Sequence, residues 1–226
     1  MALPGVDVLR AEREAFVATL DELTDDEFER GATLCTQWAP RDVLAHLMGI
    51  DLALTSYVFA LGNTAKANGR IVDRARAQPR RRLMHRARHW AHRAPPPTTQ
   101  FMALFLVGDV VMHHQDVLRP LGRRRSLSRE ARDAIFREGL TLGPTRWIHH
   151  RVEPVDGGFG FGFGPRVSGS CEALALWLAG REGVDRELHF EGFLNVVAAV
   201  GDTAPPEVVT TVDPTLVPAA DPPPSP

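Results

Sequence analysis

The sequence predicts an α+β protein: an N-terminal antiparallel four-helix bundle followed by a small α/β C-terminal domain. Two observations carry this. Up to Leu142 the apolar residues recur at three- and four-residue steps, in segments separated by mostly short breaks, as an antiparallel bundle requires. Beyond Pro144 the texture changes to aromatic and β-branched residues interleaved with glycine, which suits short strands. The expected boundaries are a bundle over 1–145, a small α+β domain over 146–203 and a proline-rich tail over 204–226.

The first helix runs from Val6 to Leu23, with Val8, Leu9, Phe16, Val17, Leu20 and Leu23 on its apolar side. Thr24-Asp25-Asp26 breaks it with capping chemistry, and a short piece around Phe28 leads through Gly31 to Trp38. A second helix opens at Pro40, which suits a first turn, and Asp42 favours the exposed amides there. It is expected to continue through His46, Ile50, Leu54 and Val58 to Leu61-Gly62, followed by a polar connection to Gly69. Arg70 to Arg93 is dense in arginine, and a helix is predicted within it from near Pro79 to His92. Phe101 to Gly122 forms the central helix, with Met102, Leu106, Val110 and Val117 on one side. The next helix spans Leu127 to Leu142, capped by Ser126 or Ser128 and stopped by Gly143-Pro144. Trp147 to Val155 and Gly158 to Val167 read as the two strands of a hairpin. An apolar helix over Cys171 to Ala179 follows, then a short element from Leu188 to Val200 and a flexible end.

Composition narrows the functional classes. With 226 residues, 44% hydrophobic and 24% charged, the chain has the profile of an ordered globular protein. A formal charge of -2 argues against a nucleic-acid footprint over the whole chain. The arginines of 70–93 read as a solvated face; a phosphate or nucleic-acid site would need aromatic or glycine-rich company, which the stretch mostly lacks. His85, His89 and His92 share helical spacing, but flanking arginines would repel a cation. Cys35 and Cys171 form no CxxC pair and read as reduced thiols of a cytoplasmic protein. No run reaches the roughly 18 apolar residues of a membrane span, and the charged N-terminus does not resemble a signal peptide.

The central helix poses the chemical question. Asp109 and His113 fall on its apolar side, where an ionisable group is costly unless hydrogen-bonded, ion-paired or bound to a metal. Four residues apart, they converge about one turn from each other. His46 sits in the apolar stripe of the second helix with Val43 and Ile50, where a backbone carbonyl or Asp42 would satisfy it. Alternatively it meets the pair across the bundle, because two histidines and a carboxylate are the ligand set of an open zinc site. The D-x-x-x-H spacing alone leaves both readings open. On the metal reading, Asp116 would orient His113 and Asp42 would orient His46. His114 points about 100° away from His113 and is expected to be supporting or solvent-facing.

Three motifs carry a resemblance to a known family. Trp38-Ala-Pro-Arg-Asp-Val-Leu-Ala-His46-Leu resembles a signature of the mycothiol-dependent maleylpyruvate isomerase family, a branch of the DinB-like metal-binding bundles. Asp109-Val-Val-Met-His113-His-Gln-Asp116-Val-Leu-Arg119-Pro-Leu-Gly122 is similar to its second signature. Gly169 to Arg181 resembles the Leu-rich Gly-Arg motif of its sterol-carrier-protein-like C-terminal domain. The resemblance implies a zinc or other divalent ion held by His46, Asp109 and His113. It also implies mycothiol as the thiol cosubstrate and Arg181 as a catalytic contact to a substrate anion. The expected activity is that of an isomerase or thiol S-transferase acting on a small electrophilic, carboxylate-bearing substrate. Where the family usually has glutamate, this chain has Asp109, one methylene shorter. Two other classes stand beside this: a non-catalytic metal- or ligand-binding module of the same family, and an arginine-driven binder of nucleic acid or an acidic partner.

Overall fold

Leu9, Phe16 and Leu20 are fully buried, and their spacing draws one face of α1 (Val6–Glu22) into the centre of a helical bundle. The computed structural model describes residues 5–52, 64–94, 97, 100 and 102–191. Thr24 opens α2 (Asp25–Arg30) with a capping box: its hydroxyl accepts from the Glu27 amide, and the Glu27 carboxylate accepts from the Thr24 amide. After the loop through Trp38 come α3 (Pro40–Leu52), α4 (Thr64–Arg76), α5 (Arg80–His92) and the central α6 (Ala103–Leu118). A 3-10 turn over Arg119–Leu121 ends α6 on Gly122, whose φ of 68° suits glycine. The Ser128 hydroxyl accepts from the Ala131 amide and starts α7 (Arg129–Leu142); a short α8 (Pro144–Trp147) follows.

The bundle is made by α1 on α5 and α6, and by α3 on α5 and α6, with α4 against α3 and α7 against α6. One apolar core runs through all of them. A second core lies between α7, α9 (Cys171–Leu178) and a four-stranded sheet, built from Phe136, Val152, Val167, Leu174, Trp177 and Leu178. The result is a helical N-terminal part with a small α/β part, as the sequence predicts. Among the described residues no helix is long and apolar enough to cross a membrane.

Several elements differ from expectation. From Thr64 onward, the stretch read as a polar connection up to Gly69 is the start of α4. Residues 53–63, into which the second helix was expected to continue, lie outside the described residues, as do Phe101 and everything from 192 onward. Met102 is exposed rather than part of the buried stripe of α6. Trp147 ends α8 instead of opening a strand, its indole N–H donating to the Leu140 carbonyl at 2.8 Å.

The predicted hairpin is only half formed. β1 (Arg151–Pro154) pairs antiparallel with β2 (Phe161–Gly162), but β3 (Arg166–Gly169) crosses to the other side of β1 and pairs in parallel. β4 (His189–Phe190) completes the order β2-β1-β3-β4. The cause lies in Gly162 and Gly164, at φ of 98° and 93°, which turn the chain after two ladder pairs. A Cβ on Gly162 would lie 2.4 Å from the carbonyl oxygens of His150 and Trp147. The alternating Phe159, Phe161 and Phe163 consequently stay exposed.

The arginines of 70–93 are more than a solvated face. Arg80 donates to Asp25 and to the Leu20 and Leu23 carbonyls, Arg88 pairs with Asp21, and Arg76 pairs with Asp42. They hold α4 and α5 to their neighbours, which leaves less of their charge for an external polyanion.

Candidate metal centre and its cleft

Asp109 and His113 project from α6 one turn apart, and His46 faces them from α3. His46 Nε2 lies 3.9 Å from Asp109 Oδ2, and His113 Nε2 lies 3.5 Å from Asp109 Oδ1. These gaps exceed a hydrogen bond. They are close to the roughly 3.4 Å that separates two ligand atoms of one tetrahedral zinc with bonds of about 2.1 Å. The three residues offer nitrogen and oxygen atoms that all lie within 4.8 Å of one another. Asp109 Oδ2 is buried and has no hydrogen-bond partner among the described residues. A carboxylate set between two imidazole nitrogens, with its buried oxygen on the His46 side left unpaired, fits a cation at the common focus.

Each ring is oriented from behind. His46 Nδ1 is 3.1 Å from the Asn68 side-chain oxygen, so its N–H donates there and Nε2 keeps its lone pair for the focus. Burial holds the His46 pKa down at about 4, so this ring is neutral at pH 7, the form that ligates. The Nδ1–H of His113 donates to Asp116 Oδ2 at 2.8 Å. Burial opposes charge on His113, but Asp116, Cys35 and Asp109 outweigh it, and without a cation its pKa is raised well above the usual value. Trp38 covers both rings, with centroids 4.9 Å from His46 and 6.0 Å from His113.

Asp116 is the hub of the next layer. Besides His113, it accepts from the Cys35 thiol at 3.0 Å and from Arg181 Nε and Nη2, each at 2.8 Å. Although burial alone would raise its pKa, His113 and Arg181 hold it well below the ordinary carboxylate range. Burial pushes the Cys35 thiol up, which makes it a hydrogen-bond donor rather than a nucleophile. Cys35, His113 and Asp116 also lie close enough to share an ion. The guanidinium of Arg181 already supplies positive charge to that carboxylate, so the first cluster fits a cation better.

The focus opens into a cleft of about 520 Å³, lined by Cys35, Trp38, His46, Asn68, Asp109, His113, Glu138, Leu142 and Arg181, among others. Arg181 stands on its wall, one edge of its guanidinium taken by Asp116. Glu138 enters the same wall from α7. It can do so because Gly108 lacks a Cβ: one placed there would lie 2.5 Å from the Ala134 carbonyl oxygen and 2.8 Å from Glu138 Cβ. Burial and the Asp109 charge raise the Glu138 carboxyl to about 7, with His113 pulling the other way.

Asp116 thus orients His113 as expected, but Asp42 does not orient His46. It accepts from the Ala39 amide at the start of α3 and from Arg76. His114 is neither supporting nor solvent-facing: it is 1% exposed, bonded to Thr19 Oγ1 at 2.8 Å and edge-on to Phe16. Sequence reasoning missed Asn68, Trp38 and Glu138 as parts of the site. Trp38 lay within a quoted motif, whereas nothing in their own sequence surroundings marked Asn68 or Glu138.

Residues 9–94 match the family described as the mycothiol maleylpyruvate isomerase N-terminal domain. No curated protein matches the chain. The fold is similar to a crystal structure of a mycothiol-dependent maleylpyruvate isomerase, with a TM-score of 0.62 at 14% identity. A histidine-to-alanine mutant of a mycothiol-dependent maleylpyruvate isomerase gives a TM-score of 0.61 at 13% identity. In both comparisons 83% of this chain and 91% of the other are covered. Residues 9–94 thus match a domain of the mycothiol maleylpyruvate isomerase N-terminal type, and the arrangement of helices with the small α/β part is the fold shared with the two solved structures.

Proposed function

We propose that this protein is a metal-dependent enzyme, holding zinc through His46, Asp109 and His113, that acts on a small electrophile with mycothiol as the thiol cosubstrate. The observation that carries this reading is the Asp109 carboxylate set between the two imidazoles, its buried Oδ2 unpaired among the described residues and facing His46, at a point that opens into the cleft. A zinc ion bound there would supply the positive charge that favours thiolate over thiol at neutral pH.

The chain's own residues supply the rest. Asn68 and Asp116 fix the His46 and His113 rings so that both Nε2 atoms face the focus. Trp38 shields them on one side. Two histidines and one carboxylate leave room for a further ligand, which distinguishes an open site from a closed structural one. Arg181 is our candidate contact for a carboxylate of the substrate, through guanidinium donors that Asp116 leaves over. The reaction is an isomerisation if the thiol is returned and an S-transfer if it is kept.

Metal analysis of the purified full chain, grown with zinc available, tests the assignment. About one zinc per chain is expected from the ligand count, and His46→Ala or His113→Ala should empty the site. Wild type and both variants equally free of zinc would overturn it. A cobalt-substituted sample whose absorbance shifts on adding mycothiol would support the open position.

A further inference from the structure

We infer that Glu138 accepts and holds the proton that the thiol loses when it enters the cleft as a thiolate. This deepens the reading above and rests on it. A thiol that binds as thiolate breaks its S–H bond, and the proton needs a base within reach. The titratable groups facing the cleft come from five places. From α6, Asp109 and His113 belong to the cation cluster, and His113 already donates through Nδ1 to Asp116. From α3, His46 belongs to the same cluster and gives its other nitrogen to Asn68. From the loop before α3, Cys35 donates to Asp116, while Arg181, beyond α9, carries its own protons and Glu182 is exposed to solvent.

That leaves Glu138 on α7. It lines the cleft, and among the described residues no hydrogen bond engages its carboxylate. Its place is built into the packing: α7 comes against α6 at Gly108, where a Cβ would lie within 2.8 Å of Glu138 Cβ, so the side chain emerges beside the cluster rather than on the outer face. The step balances with no other reactant: the thiol S–H breaks, a carboxyl O–H forms on Glu138, and the negative charge moves from the carboxylate to sulfur.

The test is a proton count. Mycothiol is titrated calorimetrically at pH 7 into the zinc-loaded full chain, in buffers of different ionisation enthalpy, and the slope against that enthalpy gives the protons released to the buffer. Glu138→Gln should release more than wild type, by roughly half to one proton per thiol bound, with its zinc content unchanged. Thiol binding with the same proton count in both proteins would overturn the role of Glu138 and leave the metal–thiol reading standing. An absence of thiol binding to zinc-loaded wild type would overturn both. Should Glu138→Gln fail to load zinc, Glu138→Asp carries the comparison: a release between the two values supports the assignment, and a release equal to that of wild type opposes it.

Discussion

His114 is the neighbour of a candidate ligand and does a different job. Its burial holds the pKa at about 3, far below the usual histidine value, so the native state refuses a proton that the unfolded chain accepts below about pH 6.5. The stability this neutral ring contributes is therefore present above pH 6.5 and is lost as pH falls toward 3. From pH 7 to pH 5 the loss is roughly 2 kcal/mol for one such group. Replacing His114 by glutamine should remove that part of the pH dependence, which urea midpoints of the two proteins at pH 7 and pH 5 would read as their difference; an equal pH slope in the variant would contradict it. At this scale the sequence is legible only in part. Helical spacing put Asp109 and His113 on one turn, but it could not say that residue 114, 100° around, would meet Thr19 on α1 rather than water. Angular position on one helix does not reveal which neighbour stands opposite.

Between elements, close approach decides the site. Gly108 lets α7 settle on α6, and Gly139 does the same between α7 and α9, where a Cβ would come within 2.5 Å of Ala175 Cα. Neither glycine has a positive φ, so adding a methyl group strains packing rather than backbone. Gly108→Ala should destabilise the fold by about 1–3 kcal/mol as an overpacked contact, a change that chemical denaturation measures, and it should also displace Glu138. Such glycines are hard to read beforehand, because a glycine within an apolar helix looks the same whether it faces solvent or a neighbouring backbone. The family motifs divide along similar lines. Arg41 donates to the carbonyls of Ala75, Arg76 and Gln78 at the end of α4, and Asp42 pairs with Arg76, so these motif positions hold helices together. Arg119 likewise reaches Glu172 and Glu187 across to the small α/β part. A signature quoted as one unit thus mixes structural residues with chemical ones, and the structure separates them.

For the molecule as a whole, the candidate ligands join α3 to α6, two helices that already share a core. An ion bound to the native state and not to the unfolded chain stabilises by RT ln(1 + [L]/Kd), about 2.7 kcal/mol at a hundredfold excess over Kd. Stripping zinc with a chelator should lower Tm by several degrees, and adding zinc back should restore it; a Tm that ignores both would argue against an ion at this focus. The two-part architecture was legible from the change of texture at Pro144, because helical and strand periods differ. The order of the sheet was not, because pairing across β1 depends on two glycine turns whose sign no hydrophobic pattern records. The junction at Asp116 constrains what this scaffold can become. One carboxylate ties together the loop carrying Cys35, the ring of His113 and the arginine beyond α9, so that wall cannot be rewritten one residue at a time. Thr36, Gln37, Leu142 and Glu182 sit exposed at the rim with no such ties. New substrate preferences, in nature or in a laboratory library, would therefore be drawn from the rim, while the knotted wall is inherited whole.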